Sequence, residues 1–270
     1  MEKNLDRLSR ADAATLARVR FATTVRLVAL AAEAEPGLRA KASARPFSLV
    51  LSAPGLPSAG ICSRRGAITS WAGGAKAPAG ALPPSLVLRF TSSRAAARTL
   101  GGGGGAPLPL FFGPGAVSAL AFFRPAAARV PAMLRDPATE AALKARLLGE
   151  AAMRGLAEVA VSDASLAERL AHVPDGSVAV EAAGAFSIGI AKSGRRIEIL
   201  DPAPATPSAR LTFRDAAGAI AVFTGSRAAV VALGAGEVAV GGLLPLVQGL
   251  FAVLDRLGEY MAVGNEGVAR

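Results

Sequence analysis

Ser85-Leu-Val-Leu-Arg-Phe90 and Ser208-Ala-Arg-Leu-Thr-Phe213 share serine, leucine and phenylalanine at an offset of 123 residues. At the same offset Leu100 meets Phe223 and Gly102 meets Gly225. Working outward, Leu49, Leu51, Gly60, Ile61 and Ile68 meet Val178, Val180, Gly189, Ile190 and Ile197 at an offset of 129. Leu38 and Lys41 meet Leu166 and Arg169 at 128, and Leu120, Arg129 and Val130 meet Val247, Arg256 and Leu257 at 127. The drift between these offsets needs only short insertions in loops. Matches that run in order through four successive elements are the mark of an internal repeat. Alanine-rich sequence aligns too easily by chance, so the Phe, Gly, Leu and Arg positions carry the weight. Two tandem α+β halves are expected, residues 1–136 and 137–270, each long enough to bury its own core.

The second half has the clearer pattern. Leu143, Leu147, Leu148, Met153 and Leu156 recur near helical spacing across Thr139–Val161. Ser165–Ala171 reads as a short second helix and Pro174-Asp175-Gly176 as a turn. Ser177–Val180, Ala185–Lys192 and Arg195–Leu200 read as three strands, the last two joined by a hairpin at Ser193-Gly194. A proline-rich loop, Asp201–Pro207, leads to a fourth strand, Ala209–Phe213. Asp215 is placed to cap a helix over Ala216–Thr224: its carboxylate accepts from free N–H groups of the first turn, and Gly225 ends the helix. Glu237–Val240 is the fifth strand and Leu243–Met261 the last helix, with Leu244, Val247, Leu250, Phe251, Leu254 and Leu257 on one broad face.

The first half follows the same order. A helix runs to Glu35, strands lie near Phe47, Pro57 and Ala67, and a fourth strand ends at Phe90. Ser92 takes the cap position of Asp215. Leu108–Phe112 is the late strand, and Val117–Leu134 is a final helix that Pro125 and Pro131 should break.

Helix, three strands, strand, helix, strand, helix is an order similar to that of the sterol carrier protein type-2-like family. Ala209-Arg-Leu-Thr-Phe-Arg-Asp215 resembles that family's strand entering a short helix, and Val222-Phe-Thr-Gly225 resembles its helix ending in glycine. Gly236-Glu-Val-Ala-Val-Gly-Gly242 resembles its glycine-flanked strand, with Glu237 where the family has a basic residue. The first half departs further, with Gly101–Gly105 near the end of the small helix and Ala106-Pro-Leu-Pro-Leu110 in place of the glycine-flanked strand. The resemblance implies a small, mostly antiparallel five-stranded sheet covered by helices in each half. It also implies an apolar tunnel that binds lipids or other fatty molecules.

Composition narrows the function classes. Hydrophobic residues make up 52% of the chain and the mean hydropathy is +0.42. Much of that is alanine, which accompanies arginine, glycine and proline in GC-rich coding sequence. The net charge of +10 favours anionic surfaces. It comes in short pairs such as Arg64-Arg65 and Arg195-Arg196, without a basic run. With one Trp and one Tyr there is no stacking platform, so nucleic acid is not expected as a partner. Thr99–Phe123 has no charged residue and Val230–Leu254 has only Glu237, but their glycines and prolines point to strand–turn–helix instead of a membrane span. The polar start Met1-Glu2-Lys3-Asn4-Leu5-Asp6-Arg7 argues against a secretory signal, and a lone cysteine fits a reducing, cytoplasmic setting.

Catalytic and metal chemistry is not expected. The one histidine, His172, sits beside a turn and reads as a surface residue. No His, Cys and carboxylate cluster has metal-ligand spacing. Gly101–Gly105 lacks the Gly-Lys-Ser/Thr ending of a phosphate loop and reads as a flexible linker. Cys62 reads as a buried, inert thiol in a strand. The leading expectation is a non-enzymatic protein, without cofactor, that binds or transfers a lipid or other apolar small molecule, chiefly in the second half. Phe213, Phe223, Leu243, Val247, Leu250, Phe251 and Leu254 are the candidate ligand contacts. Two rivals stand beside it. One is a structural or interaction module with a collapsed cavity, serving as an accessory subunit to an unidentified protein partner. The other is a peripheral protein in weak contact with anionic membranes through its basic charge and the Leu108–Phe123 stretch.

Overall fold

Alternation of side chains along strands builds both sheets. In the computed structural model, which describes residues 9–73, 77 and 80–265, the chain divides into two units, Met1–Met133 with Tyr260–Arg270 and Leu134–Glu259.

The first unit runs α1 (Arg10–Ala34), α2 (Pro36–Ala44), β1 (Phe47–Ser52), β2 (Ala59–Arg64), β3 (Ala67–Trp71), β4 (Leu86–Arg89), α3 (Ser93–Leu100), β5 (Leu108–Phe112) and α4 (Ala116–Arg135). Its strands lie in the order β3-β2-β1-β4-β5. Phe47, Leu49 and Leu51 of β1 face the same way as Ile61 of β2 and Leu86 and Leu88 of β4, and all are buried. The Phe47 ring meets Phe122 of α4 with centroids 5.1 Å apart, and Phe21 of α1 meets Phe90 at 5.7 Å. The core therefore lies between that sheet face and its helices.

The second unit runs α5 (Ala141–Ser162), α6 (Ala164–His172), β6 (Gly176–Ala182), β7 (Phe186–Ser193), β8 (Arg196–Leu200), β9 (Ala209–Phe213), α7 (Ala216–Phe223), α8 (Ala229–Gly234), β10 (Val238–Gly242) and α9 (Leu244–Asn265). Its strand order, β10-β9-β6-β7-β8, is that of the first sheet. The register repeats as well. Leu49 pairs with Ile61 and Leu86 in the first sheet. Val178 pairs with Ile190 and Ala209 in the second, at the sequence offsets of 129 and 123. The sequence reading expects mostly antiparallel sheets. Each sheet is mixed, because β1 runs parallel to β4 and β6 parallel to β9, while the remaining neighbours are antiparallel.

Several local expectations are corrected. Pro125 and Pro131 do not break the last helix of the first unit, since α4 is continuous through both. Each proline removes one hydrogen bond, but Ala121, whose carbonyl Pro125 leaves without its donor, is exposed to solvent. Phe122, Ala126, Val130 and Met133 stay packed along one face. The Gly101–Gly105 run is not simply a linker. Gly101 caps α3 through its N–H to the Ala97 carbonyl. A Cβ on Gly101 would collide with the guanidinium of Arg20, which reaches from α1 to donate to that same carbonyl. Burial brings the Arg20 guanidinium down to about 10. Two helices escape the sequence reading. α2 opens with Pro36 in its first turn, a start signal. α8 has no side-chain cap and no charged residue to announce it.

Candidate functional site

α9 lies across the apolar face of the second sheet. Leu246, Val247, Leu250, Val253 and Leu257 are buried along it. Leu244, expected on that face, is half exposed at 51%. The helix begins at Leu244, where the chain passes the start of β9, and Leu246, against Gly176, takes the buried place.

Glycines bring this helix close. Gly249 meets Val173, Gly155 of α5 receives the Leu257 side chain, and Leu246 lies over Gly176. At one end the Leu243 N–H donates to the Ser208 carbonyl at 2.9 Å. Toward the other end Arg256 Nε donates to Asp163 Oδ2 at 2.7 Å. Asp163 sits at the junction of α5 and α6 and caps α6 through its other oxygen, which accepts from Ser165 N at 2.8 Å. A carboxylate shared between a helix N-terminus and an arginine is a charge-assisted anchor.

Beneath α9 is a small cavity of about 20 Å³. Val247, Leu250, Phe251 and Leu254 line it from α9, Met153 and Leu156 from α5, and Val178, Val180, Ile190 and Leu211 from the sheet. Every lining residue is apolar. The volume is that of one water molecule, and a site with no polar partner for water stays dry. Four of the seven candidate contacts are thus brought together around one space. Phe213, Phe223 and Leu243 are not among its lining residues. The Phe213 ring meets Phe223 at a tilt with centroids 5.2 Å apart, and Phe223 meets Phe186 at 6.2 Å, a cluster that joins β7, β9 and α7. Leu243 is half-buried where the chain enters α9. The residues missed from sequence lie on three strands and a second helix. The Val178–Val180 alternation and Leu211, between Ala209 and Phe213, carried the signal for the sheet side.

Charge is kept off this face or locked at its margin. On the opposite face Arg210 donates to both oxygens of Glu181, at 2.8 and 2.6 Å. Glu237, which departs from the resembled motif, pairs with Arg227 and ties β10 to the loop before α8. Lys192, at the end of β7, is buried with its side chain 1% exposed. Its Nζ donates to the Val173 carbonyl at 2.6 Å and to Asp175 Oδ1 at 2.7 Å. That hydrogen bond, joined by the Gly194 N–H, holds the Asp175 carboxyl below the ordinary carboxylate range.

His172 is exposed at the end of α6, with Nδ1 2.8 Å from the Glu168 carbonyl. Cys62 is buried in β2. Among the described residues no group of three or more His, Cys, Asp and Glu could hold a metal ion. Among them, too, no helix is long and apolar enough to cross a membrane. No protein-family model and no curated protein sequence matches the chain.

Proposed function

We propose that the second unit binds a lipid or other apolar small molecule between α9 and its sheet, without chemical change to the ligand. The observation that supports this most is the wholly apolar space beneath α9, to which a single helix contributes Val247, Leu250, Phe251 and Leu254. Ligand sites are lined by such residues. The likeness of Ala209–Asp215, Val222–Gly225 and Gly236–Gly242 to sterol carrier protein type-2-like motifs favours the same reading. A fatty ligand needs a pocket of about 300 Å³ or more, so α9 must move outward. Its anchor at Arg256 and Asp163 is the point about which it would hinge. The cytoplasmic placement rests on the lone, buried Cys62.

A second reading is favoured by the same volume. At about 20 Å³ the space is nearly filled by its own lining, as in a module whose core is packed and whose role is to pack against a protein partner. Native mass spectrometry and solvent extraction of the purified full chain separate the two. Ligand binding predicts a co-purifying apolar molecule, or saturable uptake of a fluorescent fatty acid. Leu250→Trp, which fills the space, should abolish that uptake while the chain stays folded. A folded chain that carries no apolar molecule and takes up no probe refutes the binding reading in favour of the module.

A further inference from the structure

β5 is an edge strand of the first sheet, with β4 as its one strand neighbour among the described residues. Successive side chains of a strand point to opposite faces. Yet Leu108, Leu110, Phe111 and Phe112 are all exposed, Leu110 at 62% and Phe112 at 60%. The strand is therefore apolar on both faces at once, a wedge instead of a face. Val117 and Leu120, in the first two turns of α4 just after the strand in sequence, are exposed as well. Contiguous exposed apolar surface of this kind marks an interaction site.

Two features disfavour another strand as its cover. Pro109 has no N–H to offer, and the register shifts between Val87 and Leu88; both discourage strand addition at an edge. The surrounding charge is one-sided. Residues 36–135 hold twelve Lys and Arg and not one Asp or Glu, whereas residues 136–270 hold twelve Lys and Arg and fifteen Asp and Glu. Arg89, paired in register with Leu108, and Arg124, four residues beyond Leu120 on α4, are both exposed.

We propose that the β5–α4 edge of the first unit docks on an anionic lipid bilayer. Leu110, Phe111 and Phe112 enter the boundary between headgroups and acyl chains, and Arg89 and Arg124 meet lipid phosphates. A bilayer accepts a wedge that is apolar on both sides, whereas a protein partner would need a matching cleft. The stretch that carries β5 and α4 has no carboxylate of its own to be repelled by a negative leaflet, and Glu35, the last one before it in sequence, is paired with Arg129. This goes beyond the ligand-binding reading and does not depend on the cavity beneath α9.

The test is flotation of the full chain with vesicles of phosphatidylcholine alone and with about 30% phosphatidylserine added, at low and high salt. Wild type should bind the phosphatidylserine vesicles at low salt about tenfold better than the neutral ones, and lose that preference as salt rises. The double variant Phe111→Ser/Phe112→Ser should lose vesicle binding with its circular dichroism and melting temperature unchanged. Arg89→Gln/Arg124→Gln should weaken binding and flatten its salt dependence. Folded wild type that ignores the anionic vesicles overturns the proposal. So does a serine variant that binds as well as wild type, which would leave only diffuse charge attraction. A wild-type dimer that the serine variant lacks, with no vesicle binding, assigns the edge to a second copy instead and equally overturns it.

Discussion

Gly60 in the first unit and Gly189 in the second hold the same place in their sheets, and each makes room for something different. At Gly60 the space belongs to the indole of Trp71, its cross-strand partner. At Gly189 a Cβ would stand 2.7 Å from Pro204 Cδ, 2.8 Å from Leu200 Cβ and 3.0 Å from Ala203 Cα, so a folded-over loop takes the place of the ring. Behind these differences the same tie recurs. Arg129 of α4 pairs with Glu35 at the junction of α1 and α2, and Arg256 of α9 pairs with Asp163 at the junction of α5 and α6. At the edges the units part again. β5 presents Leu and Phe to solvent, whereas β10 ends in Gly241 and Gly242 and is tied down through Glu237. Register and helix anchor are constrained by the need to close a core. What covers the outer face and the edge is not, and there the two halves have become different surfaces.

The largest expected effect probes what the units share. Phe90→Ala and Phe213→Ala remove equivalent buried rings, and each should cost about 3–5 kcal/mol in urea unfolding. A loss below about 1 kcal/mol at either position would show that the unit concerned does not rely on the shared core. The glycine pair should give smaller and unequal losses. Gly189→Val meets a proline ring, the Leu200 Cβ and the Ala203 Cα, none of which can swing aside, and should cost about 2–3 kcal/mol, whereas Gly60→Val meets a ring that tilts and should cost about 1–2 kcal/mol. Equal losses would mean that Trp71 is as rigid as the loop.

The smallest effect divides the units by pH. Ser92 caps α3 by accepting from Ala95 N, and Asp215 caps α7 by accepting from Gly218 N. The Gly218 N–H, helped by Arg214, holds the Asp215 carboxyl below its ordinary 3.8. A depressed carboxyl adds stability above its unfolded pKa and loses it as pH falls through the folded one. At neutral pH both Ser92→Ala and Asp215→Ala should unfold more easily than wild type, the serine variant by about 1 kcal/mol. As pH falls below the ordinary carboxylate range the deficit of the aspartate variant should shrink, while that of the serine variant persists. An aspartate variant that keeps its deficit in acid would mean its role is not that of a charged cap.

Much of this skeleton is legible in the sequence, because strand register leaves matched positions behind. The offsets of 129 and 123 reappear as cross-strand partners, and Asp215 and Ser92 stand at the helix starts expected of them. What stayed hidden depends on several elements at once. The sheet side of the cavity draws single residues from β6, β7 and β9, and no one stretch announces it. Leu244 fits the helical stripe but is the first residue of the helix, so its exposure is decided by where the helix begins. The prolines of α4 carry a strong local signal that the packing of Phe122, Ala126 and Val130 overrides. The acid-free stretch of residues 36–135 was in plain view, yet its basic residues never cluster, so a reading by local runs passes over it.

Lys192 gives the second unit a built-in chemical clock. The chain has five lysines, and Lys41 stands exposed on α2. The Lys192 amine is closed in by Val173 and Asp175. An acylating reagent reaches an amine only when it is uncovered, so Lys41 should react at once. Lys192 should wait for the connection between α6 and β6 to swing open. The time at which a peptide containing Lys192 first gains the mass of one acyl group therefore measures how often that corner of the molecule opens, without a probe having to be attached.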